Sequence, residues 1–275
     1  MSQTQRFAVF GHPITHSLSP RLHTLFAAQC RIALEYVAID APPDQFTKTA
    51  RAFFAQGGRG ANVTLPDKGL AFEFADVATQ AAQRAGVANV LTRNVDGKIE
   101  AHNTDGAGLV RDVCGRHCVE LHDRRVLLLG AGGAARAVAW ALLDAGVGEL
   151  TLANRTPERA RDLADALAAV GRVRVSEWDT LESCGTFELI LNATSTGVLG
   201  VVLSLPRSLV SNGTIAYDLA YGKAAQPFLS WARDAHAAQG LDGLGMLVET
   251  AADSFERWHG VQPDADEALR GLREG

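Results

Sequence analysis

The chain is poor in cysteine, has no long apolar run and no excess of positive charge, and shows neither repeats nor low-complexity tracts. Each shortage removes a class of function. Four cysteines in 275 residues do not make a disulfide framework and fit a reducing cytoplasm. No apolar stretch approaches the length of a bilayer-spanning helix, and the opening MSQTQRFAVF lacks a signal-peptide core. A net charge of −5 argues against nucleic acid or an anionic membrane surface as the main partner. Cys114, His117, Cys118 and His122 lie close together, but no pair has C-x2-C spacing and the stretch RDVCGRHCVELHDRR is charged. It reads as a solvated connector, with no metal expected. What remains, 47 % apolar and 21 % charged residues, is ample for a sizeable core in one large domain or two modest ones.

One stretch, VLLLGAGGAARAVAWALLDAGVGELTLANRT from Val126 to Thr156, organises the chain. Val126-Leu127-Leu128-Leu129 has the continuous apolar character of a parallel strand buried on both faces. Gly130-Ala131-Gly132-Gly133-Ala134-Ala135 follows and fits G-x-G-x-x-A. Gly130 permits a tight turn, Gly132 lets the backbone approach a pyrophosphate, and Ala135 lets helix pack closely on strand. Residues Ala134 to Ala145 are helix formers, so their first free N–H groups face the glycine turn and suit an anion. Gly146 stops that helix, and Glu149 to Ala153 reads as the second strand. The order strand, glycines, helix, strand predicts a dinucleotide site; a βαβ unit without ligand is the weaker reading.

The end of the second strand bears on which dinucleotide. An NAD site carries Asp or Glu there, roughly 20 residues after the glycines, for the ribose 2′-hydroxyl. Such a carboxylate is missing here: the strand runs into Asn154-Arg155-Thr156, with Arg159 one turn on. A guanidinium forks onto a 2′-phosphate where a carboxylate repels it. Both arginines also suit a solvated helix start, but the position is where the cofactor ribose must lie, which favours NADP.

Either side of this unit the chain alternates strand and helix. Phe7 to Phe10 reads as a strand; Ser19-Pro20 starts a helix with Ser19 as its N-cap; Ala33 to Ile39 is a strand; and Pro42-Pro43-Asp44 opens another helix. Gly60 to Lys68 (GANVTLPDK) is a short strand ending at a proline, which gathers Asn62, Thr64 and Lys68 at its carboxyl end, where open α/β sheets bind ligands. Val90 to Arg93 and Lys98 to His102 form a hairpin about Asp96-Gly97. Asn103-Thr-Asp105-Gly106 follows, then a helix from Ala107 to Val113; Asp105 either caps that helix or marks, with Gly106, a hinge between domains. After Thr156 the expected elements are a helix at Pro157 to Val170, strands at Arg172 to Val175, Phe187 to Leu191 and Thr214 to Leu219, and a helix at Pro227 to Ala238. A last helix runs from Met246 to Trp258, with Met246 and Thr250 on one face. Short connections in such an alternation imply right-handed crossovers and a parallel sheet.

The ordered set Ser17-Leu-Ser-Pro20, Gly60 to Lys68, Asn103 to Gly106, the Gly130 loop, Asn154 to Thr156, Asn192-Ala-Thr-Ser195, Tyr217-Asp218 with Tyr221, and Asp242 to Leu247 resembles shikimate dehydrogenase, the NADP-dependent family of aromatic amino-acid biosynthesis. The resemblance runs nearly end to end. It implies an α/β fold of two domains: a substrate-binding domain of residues 1–105 plus 243–275 and a Rossmann-type NADP-binding domain of residues 106–242. The C-terminal helix is then expected to return to the first domain, with ligand in the cleft between them. It also implies a cytoplasmic enzyme, monomer or homodimer, with a small-molecule substrate, shikimate or 3-dehydroshikimate. By position, Ser17, Ser19, Asn62, Thr64, Lys68, Asn89, Asp105, Tyr221 and Thr250 fall on the substrate site, and Lys68 with Asp105 form the catalytic pair. Gly130, Ala131, Gly132, Gly133, Ala134, Asn154, Arg155, Thr156, Arg159, Thr194, Ser195, Leu219, Gly243 and Met246 fall on the cofactor site.

Those residue types suit the reaction. Hydride addition to a ketone leaves negative charge on oxygen, which must be stabilised and protonated as it forms. An ammonium at Lys68 does both, and a carboxylate at Asp105 balances its charge and fixes its direction. Hydroxyl and amide side chains suit a substrate with three hydroxyls. The chain departs from the family pattern at Val90, at Gln226, at Ala101-His102 and above all at Thr250, where the family carries a glutamine that reaches the substrate. That departure keeps open a related dehydrogenase that prefers quinate. A catalytically silent NADP-binding sensor is a further alternative, disfavoured because both Lys68 and Asp105 are retained.

Overall fold

The computed structural model describes residues 4–201 and 203–274. In chain order its elements are β1 (Gln5–Gly11), α1 (Ser19–Cys30), β2 (Leu34–Asp40), α2 (Phe46–Ala55), β3 (Gly58–Val63), α3 (Lys68–Phe74), β4 (Val77–Ala78), α4 (Gln80–Ala85), β5 (Val90–Arg93), β6 (Ile99–His102), α5 (Asp105–Val110), β7 (Arg125–Leu129), α6 (Gly133–Asp144), β8 (Glu149–Ala153), α7 (Pro157–Leu167), β9 (Val173–Val175), β10 (Phe187–Asn192), β11 (Val210–Asp218), α8 (Gln226–Asp234), β12 (Gln239–Leu241), α9 (Leu244–His259) and α10 (Ala265–Arg273). They form two compact units, residues 1–108 with 248–275 and residues 109–247.

The first unit holds a six-stranded mixed sheet in the order β2-β1-β3-β5-β6-β4. The strands β1, β2 and β3 are parallel, and β5 runs antiparallel to both β3 and β6. The hairpin turn joins β5 to β6, and there Asn94 Oδ1 accepts from the backbone N–H groups of Asp96 and Lys98, the local hydrogen bonding that makes Asn a turn residue. One face of the sheet packs on Phe46, Ala50, Phe53 and Phe54 of α2. On the other, Phe7, Val9, Ile14 and Tyr36 pack with Trp258 of α9.

The second unit is a parallel six-stranded sheet in the order β12-β11-β10-β7-β8-β9. This is a doubly wound order, and the direction of winding reverses between β7 and β10. The crevice at that switch point, outside the carboxyl ends of the strands, is where such sheets bind ligands. Val126, Leu127, Leu128 and Leu129 are fully buried, alternately facing two core clusters on opposite sides of the sheet. Truncating any of them to alanine is expected to cost about 2–5 kcal/mol.

The structure corrects four local expectations. Ser19 is the first residue of α1 rather than its N-cap, which is Leu18 with no side-chain cap; Ser17 Oγ instead accepts from the Ser19 N–H at 3.3 Å. The Pro42-Pro43-Asp44 stretch is a turn, and α2 begins only at Phe46, after Gln45 N–H has closed onto the Pro42 carbonyl. The helix after Asn103 starts at Asp105 and continues as a π-helical turn from Arg111 to Arg116. Finally α9 is not the last helix: α10 follows, with Asp264 capping the N–H of Glu267 at 2.8 Å.

Candidate functional site

In the first unit the carboxyl ends of the strands collect buried polar groups. Lys68, the first residue of α3, directs Nζ to Asp105 Oδ2 at 2.6 Å, and both side chains are almost closed to solvent. Asp105 opens α5, where a carboxylate complements the helix dipole. Its other oxygen accepts from Asn89 Nδ2 at 2.8 Å. The second Asn89 N–H goes to Thr104 Oγ1 at 3.0 Å, and Asn89 Oδ1 accepts from the Thr104 N–H at 2.9 Å. Asn89 has therefore spent both donors on holding Asp105 and the turn before it.

Asn62, on β3, is equally committed. Its Nδ2 donates to the Asn89 carbonyl at 3.3 Å and to Ser254 Oγ at 2.8 Å, and its Oδ1 accepts from Tyr36 Oη at 2.7 Å. A backbone carbonyl only accepts, so the amide orientation is determined. The network closes through α9, where the Thr250 carbonyl accepts from Ser254 Oγ at 2.9 Å and from Thr104 Oγ1 at 3.2 Å. Burial raises the Tyr36 phenol well above its usual range, opposed by a hydrogen bond with Ser19, so it stays a donor to Asn62. Ser17 and Thr64 are half-buried, and Ser19 and Thr250 are buried in the same unit. Tyr221 belongs to the second unit, half-buried beyond the end of β11.

Four residues of this region carried no expectation from sequence. Tyr36 and Ser254 lie 26 and 192 positions from Asn62, and no spacing links them. His23 is fully buried with its ring stacked on Tyr36 at 4.0 Å; burial, partly offset by Asn62, lowers it to about 3, so it is neutral. Asp67, beside Lys68, is 1 % exposed and neither of its carboxyl oxygens has a hydrogen-bond partner among the described residues. Burial pushes its carboxyl up to about 6, opposed by His12.

In the second unit the glycine turn lies at the carboxyl end of β7. Gly130 has φ +108°, and a Cβ there would sit 3.0 Å from the Ala193 carbonyl, so the turn requires glycine. Gly132 precedes α6 as its N-cap, and a Cβ there would meet nothing within 4 Å. The bare backbone thus faces open space beside the free N–H groups of α6, which is what a pyrophosphate needs. Gly133 and Ala134 start that helix, while Ala131 and Ala135 are buried. At the end of β8, Asn154 Nδ2 donates to the Thr156 carbonyl at 2.8 Å and holds the turn. Arg155 and Arg159 are exposed. Nearby Arg161, by contrast, is paired with Glu158 and Glu177. These residues fit NADP, with the exposed guanidinium groups of Arg155 and Arg159 just beyond the end of β8.

Across the switch point, Asn192 Oδ1 accepts from Thr194 Oγ1 at 2.7 Å and Asn192 Nδ2 donates to Asp218 Oδ2 at 2.9 Å. Asp218 Oδ1 accepts from the Ala220 N–H at 2.8 Å. Burial raises Asp218 to about 7, offset by those hydrogen bonds and reinforced by Asp242. Ser195 is exposed, Leu219 half-buried, and Gly243 and Met246 buried. The Met246 side chain packs in the core of this unit.

Residues 9–91 match the model of the shikimate dehydrogenase substrate binding domain, and residues 112–201 match that of shikimate / quinate 5-dehydrogenase. A shikimate dehydrogenase (NADP(+)) of Xylella fastidiosa is 56 % identical over 263 residues, 95 % of this chain and 93 % of that one. The chain belongs to the shikimate dehydrogenase family. Among solved structures, an Ael1 enzyme from Pseudomonas putida is 42 % identical with a TM-score of 0.89, covering 98 % of both chains. A shikimate 5-dehydrogenase from Thermus thermophilus, solved in complex with NADP(H) and shikimate, is 31 % identical with a TM-score of 0.84 over 98 % of this chain and 99 % of that one. The shikimate dehydrogenase pattern of the sequence thus coincides with a matching two-domain architecture. Thr250, its main departure, is 8 % exposed in the same unit as Lys68 and Asp105.

Proposed function

We propose that the protein is an NADP-dependent oxidoreductase that reversibly reduces 3-dehydroshikimate to shikimate in aromatic amino-acid biosynthesis. The observation that carries this reading is the buried Lys68–Asp105 pair, 2.6 Å apart and fixed by Asn89, in a chain 56 % identical to a shikimate dehydrogenase (NADP(+)). The cysteine composition supports a cytoplasmic setting, and a monomer or homodimer suffices for the chemistry.

When bound, NADPH would supply the hydride for the ketone carbon. As negative charge grows on the ketone oxygen, the Lys68 ammonium stabilises it and gives it a proton. Asp105 balances that ammonium and keeps it pointed, and Asn89 keeps Asp105 in place. In the oxidative direction the same nitrogen takes the hydroxyl proton back. Asn62 belongs to the same buried network, with both its N–H groups committed to Asn89 and Ser254. Ser17, Ser19, Thr64 and Tyr221 supply further hydroxyls, and a buried partner left unpaired by a wrong substrate discriminates strongly. On the cofactor side, residues 130–134 would cradle the pyrophosphate, and Asn154, Arg155, Thr156 and Arg159 would take the adenosine ribose and its 2′-phosphate. Thr194, Ser195, Leu219, Gly243 and Met246 would take the nicotinamide half.

A second reading, a dehydrogenase preferring quinate or another cyclic polyol acid, is favoured by Thr250, which offers one hydroxyl where the family offers an amide. The first experiment is direct. Purified protein mixed with 3-dehydroshikimate and NADPH should consume NADPH and release shikimate in equal amounts. Tight NADPH binding without consumption would instead support a silent sensor and overturn the proposal.

A further inference from the structure

Beneath the first turn of α9 lies a buried polar cluster that the chemistry above does not use. Asp112, in the π-helical turn after α5, is fully buried. Its Oδ2 accepts from Tyr217 Oη at 2.6 Å and its Oδ1 from Arg116 at 2.5 Å, with His117 Nε2 at 3.8 Å. Tyr217 is itself fully buried on β11, one residue before Asp218. Burial first, then the charge of Asp112, raises its phenol far above the usual range, while a backbone hydrogen bond from Met246 acts the other way. The phenol is therefore a permanent donor to Asp112 and an acceptor for the Met246 N–H.

The cluster also sets the height of the backbone above it. A Cβ at Gly245 would collide with Asp112 Oδ1, so only glycine lets the start of α9 rest on the carboxylate. Asp242 completes the support from outside: Oδ1 accepts from the Leu244 N–H at 3.2 Å and Oδ2 from the Gly222 N–H at 3.1 Å. Stability alone does not call for this arrangement, since buried ionic groups seldom outperform well-packed apolar ones. It fixes a geometry instead, and polar networks that are fully satisfied are rigid.

In a doubly wound sheet the dinucleotide straddles the switch point. With the adenosine half over β8, where Arg155 and Arg159 lie, the nicotinamide half falls over β10, β11 and β12, whose carboxyl ends run into the segments holding Thr194, Leu219 and Gly243 to Met246. We infer that Asp112 and Tyr217 are positioning residues for the nicotinamide half of NADP(H), acting through the first turn of α9. This rests on the NADP reading of the second unit.

The test compares Tyr217→Phe, Asp112→Leu and Asp112→Asn with the unsubstituted enzyme. Calorimetric titration with 2′,5′-ADP reads the adenosine half alone and should stay within about twofold, which also shows that the unit is folded. The emission of bound NADPH reads the environment of the nicotinamide and should change in Tyr217→Phe and Asp112→Leu. In the same variants kcat should fall about 10- to 100-fold, the loss expected from a charged hydrogen bond left unmade. The primary isotope effect with 4-deuterated NADPH should rise. Asp112→Asn, whose amide oxygen still accepts from Tyr217, should lose least. A lower melting temperature with unchanged emission, kcat and isotope effect would overturn the inference, because the cluster would then only hold the fold. Equal loss of 2′,5′-ADP affinity would overturn it too. An unsubstituted protein that binds NADPH but does not consume it would sink the functional proposal, while the emission and 2′,5′-ADP arms still decide this one.

Discussion

Replacing Lys68 by methionine separates chemistry from packing. The Lys68 side chain is 11 % exposed and that of Asp105 6 %, so the variant keeps the stem volume but strands a buried carboxylate with Asn89 as its remaining partner. Breaking a buried pair from one side costs about 3–5 kcal/mol. At ~2–4 °C per kcal/mol for domains of this size, the melting temperature should fall by about 6–20 °C. Activity should fall for a different reason, loss of the proton donor, worth about 10²–10⁴-fold in kcat. The double variant Lys68→Met, Asp105→Leu removes the stranded charge and should recover most of the melting temperature while remaining inactive. Steady-state rates and calorimetric melting on the three proteins, with NADPH binding as a control for the second unit, make the comparison. Lys68→Met with kcat near that of the unsubstituted enzyme would refute the catalytic assignment. A double variant no more stable than the single one would refute the argument from a stranded charge.

Three further outcomes follow from other residues. Arg155→Ala should raise KM for NADP about 10- to 150-fold more than for NAD, the range of a charge-assisted contact of about 1.5–3 kcal/mol; equal losses with both cofactors would remove the 2′-phosphate assignment. Thr250→Gln should improve kcat/KM for shikimate a few- to about ten-fold, the worth of one neutral hydrogen bond, whereas a fall would show that the pocket is shaped for something else. Asp67→Asn tests the buried carboxyl beside Lys68. Because its folded value, about 6, lies above the ordinary one near 4, the stability from its neutral form is complete at low pH and is lost as pH rises through about 6. The variant should therefore melt higher than the unsubstituted protein near neutral pH, with the gain vanishing toward pH ~4; a gain independent of pH would contradict the account.

The dinucleotide unit was legible because its determinants are local. Strand, glycine turn, helix and second strand follow one another without a break, and β8 runs from Glu149 to Ala153, the limits expected of it. The hairpin about Asp96-Gly97 was legible for the same reason. Contacts between distant segments were not. Nothing in the spacing of Tyr36, Asn62 and Ser254 announces that they share hydrogen bonds, nor does that of Asn89, Thr104 and Asp105. The helix α10 was not among the expected elements, which ended at Trp258. Its own pattern, Asp264 as cap with Ala268, Leu269 and Leu272 buried, is a recognisable amphipathic start. Ser19 was misplaced by one position because Ser-Pro is a strong helix-start pattern, and a helix boundary is uncertain by a residue or two.

The most direct test of the central claim is kcat/KM for shikimate and quinate, each measured with NADP and with NAD on the unsubstituted protein. The account predicts that shikimate with NADP gives the highest value of the four. A higher value for quinate, or for NAD with either substrate, would contradict it.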